Sequence, residues 1–311
     1  MYNRKMTILE FQKYILSWYK THRRNLPWRN TRDPYKILIS EVMLQQTQVA
    51  RVLPKYKEFL QKFPTLEKLA QASDKTLLKV WQGLGYWRRA KYLKETAHML
   101  VKAKAMNLQT SPRRPASTVS AKGGVAGREH RLANFAGNLN SRSFKIPLPS
   151  DLEILPGIGP YTARALACFA FGSTEAFLDT NIRRVYLHFF FPKRKDVPDT
   201  KIFPIAQKAV WNKNAKEWHY ALFDYGATVL KDKKINKRSR HYAKQSKFEG
   251  SFRSFRTKVM RFLLDQQDQI ATKSRIKRLL KEAQSPYTSE KILAALEKDG
   301  LIKKRKGLYS L

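Results

Sequence analysis

Two carboxylates and one glycine turn carry the chemistry that this sequence could do. Glu41 sits in Ser40-Glu-Val-Met-Leu-Gln-Gln-Thr-Gln48, among the apolar neighbours Leu38, Ile39, Val42, Met43, Leu44 and Val49. A carboxyl desolvated by such neighbours keeps its proton to higher pH and suits a general acid. A solvent-facing helix with an ordinary glutamate gives the same pattern, and pattern alone leaves the two readings even. Asp179 follows Gly159, the second glycine of Leu155-Pro-Gly-Ile-Gly159, by 20 residues. Such a pair fits cleavage of a glycosidic bond: one carboxyl protonates the leaving group, while the other, ionised, stabilises an oxocarbenium-like sugar or attacks it. Two carboxylates far apart in a chain establish nothing alone; the turn supplies their context. Gly157-Ile-Gly159 opens the small-residue run Thr162-Ala-Arg-Ala-Leu-Ala-Cys168. A tight turn leading into a helix can present backbone N–H groups to a phosphate.

The surrounding sequence points to a nucleic acid. Read as one continuous helix, Glu41, Gln45 and Gln48 fall at i, i+4 and i+7 and make a polar seam. Amides so placed can read base edges or fill the space left by an extruded base. The 311 residues hold 62 Lys+Arg against 24 Asp+Glu, a net charge of +38. A surplus of that size calls for a polyanionic partner, DNA or RNA by default. The 42% hydrophobic content suffices for a real core, and the length suggests about two domains. No apolar run approaches the ~20 residues of a membrane span, and the first residues lack the apolar block of a signal peptide. An intracellular protein, cytoplasmic or at the nucleoid and without membrane contact, is therefore expected. Cys168 is the single cysteine, which excludes internal disulfides and any site of several cysteines. The six histidines show no metal-ligand spacing, and no metal is assigned.

The elements that must position these groups read as helical. Ile8, Phe11, Ile15 and Trp18 make one apolar stripe, and Asn25-Leu-Pro-Trp-Arg29 breaks that helix. A second helix is expected from Pro34 to Leu53. Ser73 reads as the N-cap of a helix reaching Gln82, Gly83-Leu-Gly85 ends it, and another runs from Tyr86 to Lys102. Residues 106–143 are rich in Ser, Pro, Gly, Arg and Asn, with Glu129 their one acid, and read as a disordered basic insertion. A second basic stretch spans Lys231 to Ser251. Helical patterns at Phe255–Gln266, Thr272–Ala283 and Thr288–Asp299, then a short hairpin from Gly300, resemble a winged-helix module. No period-2 stretch of any length competes, so the core is expected to be all-α.

Five ordered motifs carry a family resemblance: Leu26-Pro-Trp-Arg29, Ser40 to Gln48, Gly83-Leu-Gly-Tyr86, Leu155 to Gly159, and Leu178-Asp-Thr-Asn-Ile-Arg-Arg-Val185. The chain resembles the helix-hairpin-helix DNA glycosylases, and among them the adenine glycosylases of the MutY type, which remove adenine mispaired with 8-oxoguanine or guanine. The resemblance covers about residues 5–100 and 144–230. It implies that Glu41 protonates the adenine ring and that Asp179 stabilises the cationic sugar. It further implies that Asn181 and Tyr161 line the base pocket, with Arg29 beside the flipped base, and that Gln46 and Tyr86 wedge the duplex near the mismatch. Gln45, Gln48, Leu155, Gly157, Gly159 and Thr162 join the expected DNA contacts, and Trp87 stands where a second aromatic could face DNA. Related endonucleases place a lysine at the position of Tyr161 and cut the strand through a Schiff base, which a phenol cannot form, so a monofunctional enzyme is expected. A thymine branch acting on T·G mispairs shares the tyrosine and aspartate. Its counterpart of Gln45-Gln46 is basic and it lacks the Gly-Leu-Gly-Tyr element, which favours adenine here.

Two departures qualify the resemblance. Family members usually bind a [4Fe–4S] cluster through four cysteines after a Gly-Ala element. Following Gly226-Ala227, this chain offers Leu230, Lys237, Arg240 and Ser246 at that spacing, so no cluster and no other cofactor is expected. The C-terminus is too short and too helical for the NUDIX-like domain that helps such enzymes recognise 8-oxoguanine. The expected architecture is an all-α, two-lobed glycosylase fold. Residues 27–185 would form a six-helix barrel lobe with the helix-hairpin-helix, 1–26 and 186–250 a terminal helical lobe, and 252–311 a winged-helix-like tail. Asp179 and the hairpin would lie at the cleft between the lobes. A monomer acting on double-stranded DNA with A·8-oxoG or A·G mispairs is expected. The alternatives are a thymine or uracil mismatch glycosylase and a silent mismatch-binding protein.

Overall fold

The computed structural model of the chain describes residues 6–109, 146–244 and 246–311. In chain order the helices are α1 (Ile8–His22), α2 (Pro34–Leu44), α3 (Val49–Lys62), α4 (Leu66–Ala70), α5 (Asp74–Trp81) and α6 (Arg88–Gln109). They continue as α7 (Pro149–Leu152), α8 (Pro160–Phe171), α9 (Thr180–Phe190), α10 (Asp199–Lys208), α11 (Ala215–Thr228) and α12 (Phe252–Asp265). The tail adds β1 (Ile270–Thr272), α13 (Lys273–Glu282), α14 (Ser289–Lys298), β2 (Lys303–Arg305) and β3 (Leu308–Ser310). The described residues form two compact units, one of 6–41, 146–154 and 158–244, the other of 42–109, 155–157 and 246–311.

In the first unit, α1 opens on a reciprocal cap. The Thr7 N–H donates to Glu10 Oε2 at 2.8 Å, and Thr7 Oγ1 accepts from the Glu10 N–H at 3.2 Å. The predicted stripe buries Phe11 and Ile15, and Phe11 meets the rings of Tyr186, Phe189, Phe190 and Trp218 at 5.1–5.6 Å. Tilted and edge-on contacts of this kind add to what burial alone contributes. Helix α8 is nearly all small or apolar and buries nine of its residues, Thr162 to Phe171 apart from Arg164. Gly172 ends it in the left-handed region, at φ +81°. Helix α9 packs on α11, which also receives α1.

In the second unit, α4 packs on α6, α3 on α5, and α12 on α5. Ser73 caps α5 as its sequence predicts, its hydroxyl accepting from the Thr76 N–H at 3.2 Å. The tail folds into its three expected helices and a small antiparallel sheet of order β1-β3-β2, with Ala271 and Lys304 both registered on Tyr309. The hairpin is the expected one. The third strand, β1, is not foreseen, because three residues are too few to show an alternation.

Three expectations need correcting. The helix from Pro34 to Leu53 is two helices, broken at Gln45–Gln48, where Gln46 takes φ +55°. Glu41, Gln45 and Gln48 therefore do not share one helical seam. Trp87 is buried, at 4% exposure, and its ring packs inside the unit rather than facing outward. Residues 106–109 continue α6, while the remainder of the basic insertion, 110–143, lies outside the described residues. Among the described residues no helix is long and apolar enough to cross a membrane.

Candidate active site

The carboxylates and their partners lie in the first unit. Glu41 is carried by α2 and is only 5% exposed. Burial raises its pKa to about 7; the Asp179 charge pushes the same way, while the Tyr161 hydroxyl and the Arg29 charge oppose the rise. The Tyr161 phenol donates to Glu41 Oε2 at 3.4 Å. Burial and the two carboxylates push the Tyr161 phenol well above its ordinary range, so it stays a donor.

Asp179 is half-buried and is the N-cap of α9, a position that explains its conformation without any function. Its Oδ1 accepts from the Ile182 N–H at 2.6 Å, and Oδ2 from the Asn181 amide at 3.0 Å. Burial raises its carboxyl above the usual range, while the backbone N–H groups of Ile182 and Asn181, the Arg183 charge and the Asn181 side chain hold the rise back. The two acids differ in their partners: Glu41 accepts one long hydrogen bond, from Tyr161, whereas Asp179 accepts two shorter ones that offset part of the rise caused by its burial. Gly226 makes room for this arrangement. A Cβ there would stand 2.4 Å from the Asn181 carbonyl oxygen, so α11 can approach the start of α9 only with glycine.

Arg29 sits beside this group, but its charge is already engaged. Its two terminal nitrogens donate to Asp224 at 2.7 and 2.8 Å, and its guanidinium lies 4.5 Å over the Tyr220 ring. Asp224 is fully buried and also accepts from the Arg24 N–H at 3.0 Å and its Nε at 2.5 Å. These partners hold the Asp224 carboxyl below its usual range against the burial that raises it. Arg29 therefore acts as a packed, neutralised wall that fixes Tyr220. Asp224 and Tyr220 both escaped the sequence reading. An acid inside the apolar helix stretch Tyr220-Ala-Leu-Phe-Asp224 is the signal that could have found the first.

The predicted DNA-reading residues divide by exposure. Gly157, at φ +74°, holds the hairpin in a shape closed to other residues, and a Cβ there would meet Tyr92 Cδ2 at 2.6 Å. The Gln45 amide donates to the Gly157 carbonyl at 3.3 Å. Gly159 is exposed, with open space where its Cβ would be, and it precedes the first turn of α8. Leu155 and Thr162 are buried, at 2% and 3% exposure, so their side chains support the hairpin and cannot reach DNA. Gln46 and Gln48 are exposed, and Gln45 and Tyr86 are half-buried. Tyr86, at φ +47°, mirrors the strained Gln46. One residue ties the two turns together. Arg89 donates to the carbonyls of Val42, Met43 and Gln45 at 2.6–2.9 Å, and to those of Leu84 and Gly85 at 3.1 Å. Sequence reasoning passed over it as one basic residue among many.

The site thus consists of a glycine hairpin before a small-residue helix, one acid capping the next helix and another buried near it. The model of the HhH-GPD superfamily of base excision DNA repair proteins matches residues 39–211, more than half of the chain, and the chain belongs to that superfamily. Within it, the chain is 37% identical over 175 residues to an adenine DNA glycosylase of Mycobacterium tuberculosis (strain CDC 1551 / Oshkosh), covering 55% of this chain and 44% of that protein. It is 30% identical over 233 residues to the adenine DNA glycosylase of Homo sapiens, covering 71% of this chain and 36% of that one. The chain thus spans less than half the length of these curated relatives. Among solved structures it is similar to a thermostable thymine-DNA glycosylase, with a TM-score of 0.54 at 25% identity, covering 73% of this chain and 89% of that one. A non-covalent endonuclease III–DNA complex shares the fold, with a TM-score of 0.50 at 16% identity over 72% and 87% of the two chains.

Proposed function

We propose that the chain is a monofunctional DNA glycosylase that hydrolyses the N-glycosidic bond of adenine mispaired with guanine or 8-oxoguanine, leaving an abasic site. The observation that carries this is the carboxyl pair: Glu41, buried with a pKa near 7 and held by the Tyr161 hydroxyl, and Asp179, which accepts from the Ile182 N–H and the Asn181 amide. Glu41, protonated near neutrality, gives its proton to a ring nitrogen of the extruded adenine. The C1′–N9 bond then breaks and its electron pair leaves with the base. Asp179, ionised, offsets the positive charge that grows on the sugar, and water completes the hydrolysis. Tyr161 orients Glu41 and offers no amine for a Schiff base. Extruding a base costs a few kcal/mol and is cheapest at a mispair, which favours mispaired substrates from the outset.

The adenine relatives and the Gln45-Gln46 pair favour adenine, while the similarity to a thymine-DNA glycosylase structure keeps thymine as the second reading. The partner on this reading is double-stranded DNA met by a monomeric, intracellular protein, in keeping with the net charge of +38. An iron–sulfur cluster has no place in it, on the chemistry of the donors present. Leu230 is buried and its carbonyl accepts from Arg184 at 3.0 Å, Arg184 also donates to Asn236 at 2.8 Å, and Arg240 pairs with Asp196 at 2.6 Å. Neutral and cationic side chains knit the segment that cysteine thiolates hold in other members. Among the described residues no group of His, Cys, Asp and Glu could hold a metal ion.

The test is a panel of duplexes carrying A·8-oxoG, A·G, T·G or U·G, incubated with the protein and treated with or without alkali. Adenine release with strand cleavage only after alkali is expected, and Asp179→Asn should lose it. Thymine release would move the reading to the second branch. Cleavage without alkali, or binding with no release, would contradict it.

A further inference from the structure

The small sheet of the tail has a buried face and an outer face. Ala271 and Tyr309 are buried on the first, where the Lys304 amine stands 5.9 Å from the Tyr309 ring centroid. Side chains alternate along a strand, so the residues flanking these three point the other way. Register sets them in two rows across the sheet, Lys303–Ser310–Ile270 and Arg305–Leu308–Thr272. All are exposed or half-buried, with Ile270 and Leu308 each 39% exposed. None of the strand residues is acidic. Strand β2 pairs with β3 alone, so its other edge is open, and that edge is Lys303-Lys304-Arg305. The turn beyond it adds one more cation. Arg305 is registered on Leu308, which leaves Lys306 and Gly307 as the whole turn, at φ +46° and +78°. Two positive φ values in succession favour asparagine–glycine or two glycines, and lysine takes that region rarely. A charge is thus held at the tip of the tail hairpin where a smaller residue would fold more readily.

Cations along an open strand edge resist pairing with another strand, and that need alone would account for Lys303 and Arg305. It does not account for Lys306, which lies beyond the ladder, or for the exposed Leu308 beside it. Cations flanking a small apolar face do fit the backbone of a nucleic acid, whose phosphates meet the charges while its sugars meet the aliphatic side chain. Acids of the tail are held elsewhere: Glu290 by Lys273 at 2.6 Å, Glu282 by Arg278 at 3.2 Å, and Asp299 by Arg256. The helix before the hairpin offers no comparable surplus, since α14 carries Glu290 and Glu297 against Lys291 and Lys298. We propose that the outer face and tip of the tail hairpin form a separate contact to duplex DNA, in which Lys303, Arg305 and Lys306 bind backbone phosphates without reading sequence. This rests on duplex DNA being the partner, as the glycosylase reading has it, and not on which base is excised. The tail then tightens the hold on any duplex, damaged or not.

The measurement is the affinity of the full chain for two undamaged duplexes of unrelated sequence as salt is raised. Three variants accompany wild type, each checked for an unchanged melting temperature. The first combines Lys303→Gln, Arg305→Gln and Lys306→Gln, and should flatten the slope of log affinity against log salt by about two to three units, roughly one for each phosphate released. The second keeps the charge through Lys303→Arg, Arg305→Lys and Lys306→Arg, and should keep the wild-type slope. The third removes the same charge from exposed sites in the first unit, through Lys201→Gln, Lys208→Gln and Lys213→Gln, and should stay close to wild type. A wild-type slope in the first variant overturns the proposal and leaves these cations as guards of the open edge. Equal flattening in the third also overturns it, by marking bulk charge, and flattening in the second does so by marking damage to the hairpin. A loss confined to one of the two duplexes would mean base reading and contradicts it too. Adenine release by wild type from an A·8-oxoG duplex, followed in parallel, keeps the two ideas apart. No release would defeat the glycosylase reading, whereas the salt slopes alone decide the tail hairpin.

Discussion

Glu41 is kept at a cost to stability, and that cost is measurable. Its folded pKa lies near 7 against 4.5 in an open chain, so the native state binds more protons than the unfolded state between those values. Stability should therefore fall as pH rises from about 4.5 through 7, by about 3 kcal/mol in all. Glu41→Gln removes the penalty, so its melting temperature should exceed that of wild type by a margin that grows from pH 5 to pH 8. Parallel curves would mean that Glu41 is not held protonated. Asp179→Asn is the complementary case. Asparagine caps a helix about as well as aspartate, so folding should persist while single-turnover excision falls about 10²–10³-fold, the usual loss with one electrostatic stabiliser. Both acids stood out in the sequence because cleavage of a glycosidic bond calls for carboxyls and ordered motifs surround these two, and the fold brings Tyr161 to one and Asn181 to the other. Asp224 did not, since its task is to neutralise Arg29, and only the fold brings these residues together.

At the scale of elements, the sequence reads well wherever a local cause suffices. The α1 stripe, the Ser73 cap, the break at Pro27 and the tail hairpin each have one. The break between α2 and α3 does not. Its residues, Gln45-Gln-Thr-Gln48, include three good helix formers, and no glycine or proline marks it; the carbonyls that end α2 are satisfied by Arg89, more than 40 residues away in the chain. A tertiary partner thus overrides a continuous helical pattern. Arg89→Lys should keep the charge but lose the fork that joins the two turns. We expect an affinity loss for mispaired DNA of about tenfold, the worth of roughly 1.4 kcal/mol, with faster amide exchange confined to residues 43–48 and 83–87. Exchange rates like those of wild type would show that the turns hold themselves. The hairpin carries its own test. Gly157→Ala meets both a positive φ and the Tyr92 ring, so it should destabilise the protein by about 1–3 kcal/mol in thermal or denaturant unfolding. The open space at Gly159 removes the steric part of that penalty, and Gly159→Ala should unfold within about 0.5 kcal/mol of wild type.

At the scale of the molecule, a net charge of +38 makes salt the natural probe. Lys231, Lys234 and Lys237 are exposed on the basic stretch that follows α11. Replacing all three with alanine should flatten the slope of log affinity against log salt by about one unit for each phosphate that these lysines neutralise. An unchanged slope would free that segment from any part in binding. Composition announced a polyanionic partner but could not place the contacts, because 62 basic residues are too many for position to be read from type. The central claim is narrower: one buried acid supplies the proton and another supplies the charge. It is tested most directly by the single-turnover rate of adenine release from an A·8-oxoG duplex, followed from pH 5 to pH 9. The rate should fall on the alkaline side with a midpoint near pH 7, as Glu41 loses its proton, and Glu41→Gln should abolish release at every pH. A rate level across that range, or a Glu41→Gln protein that still frees adenine, would contradict it.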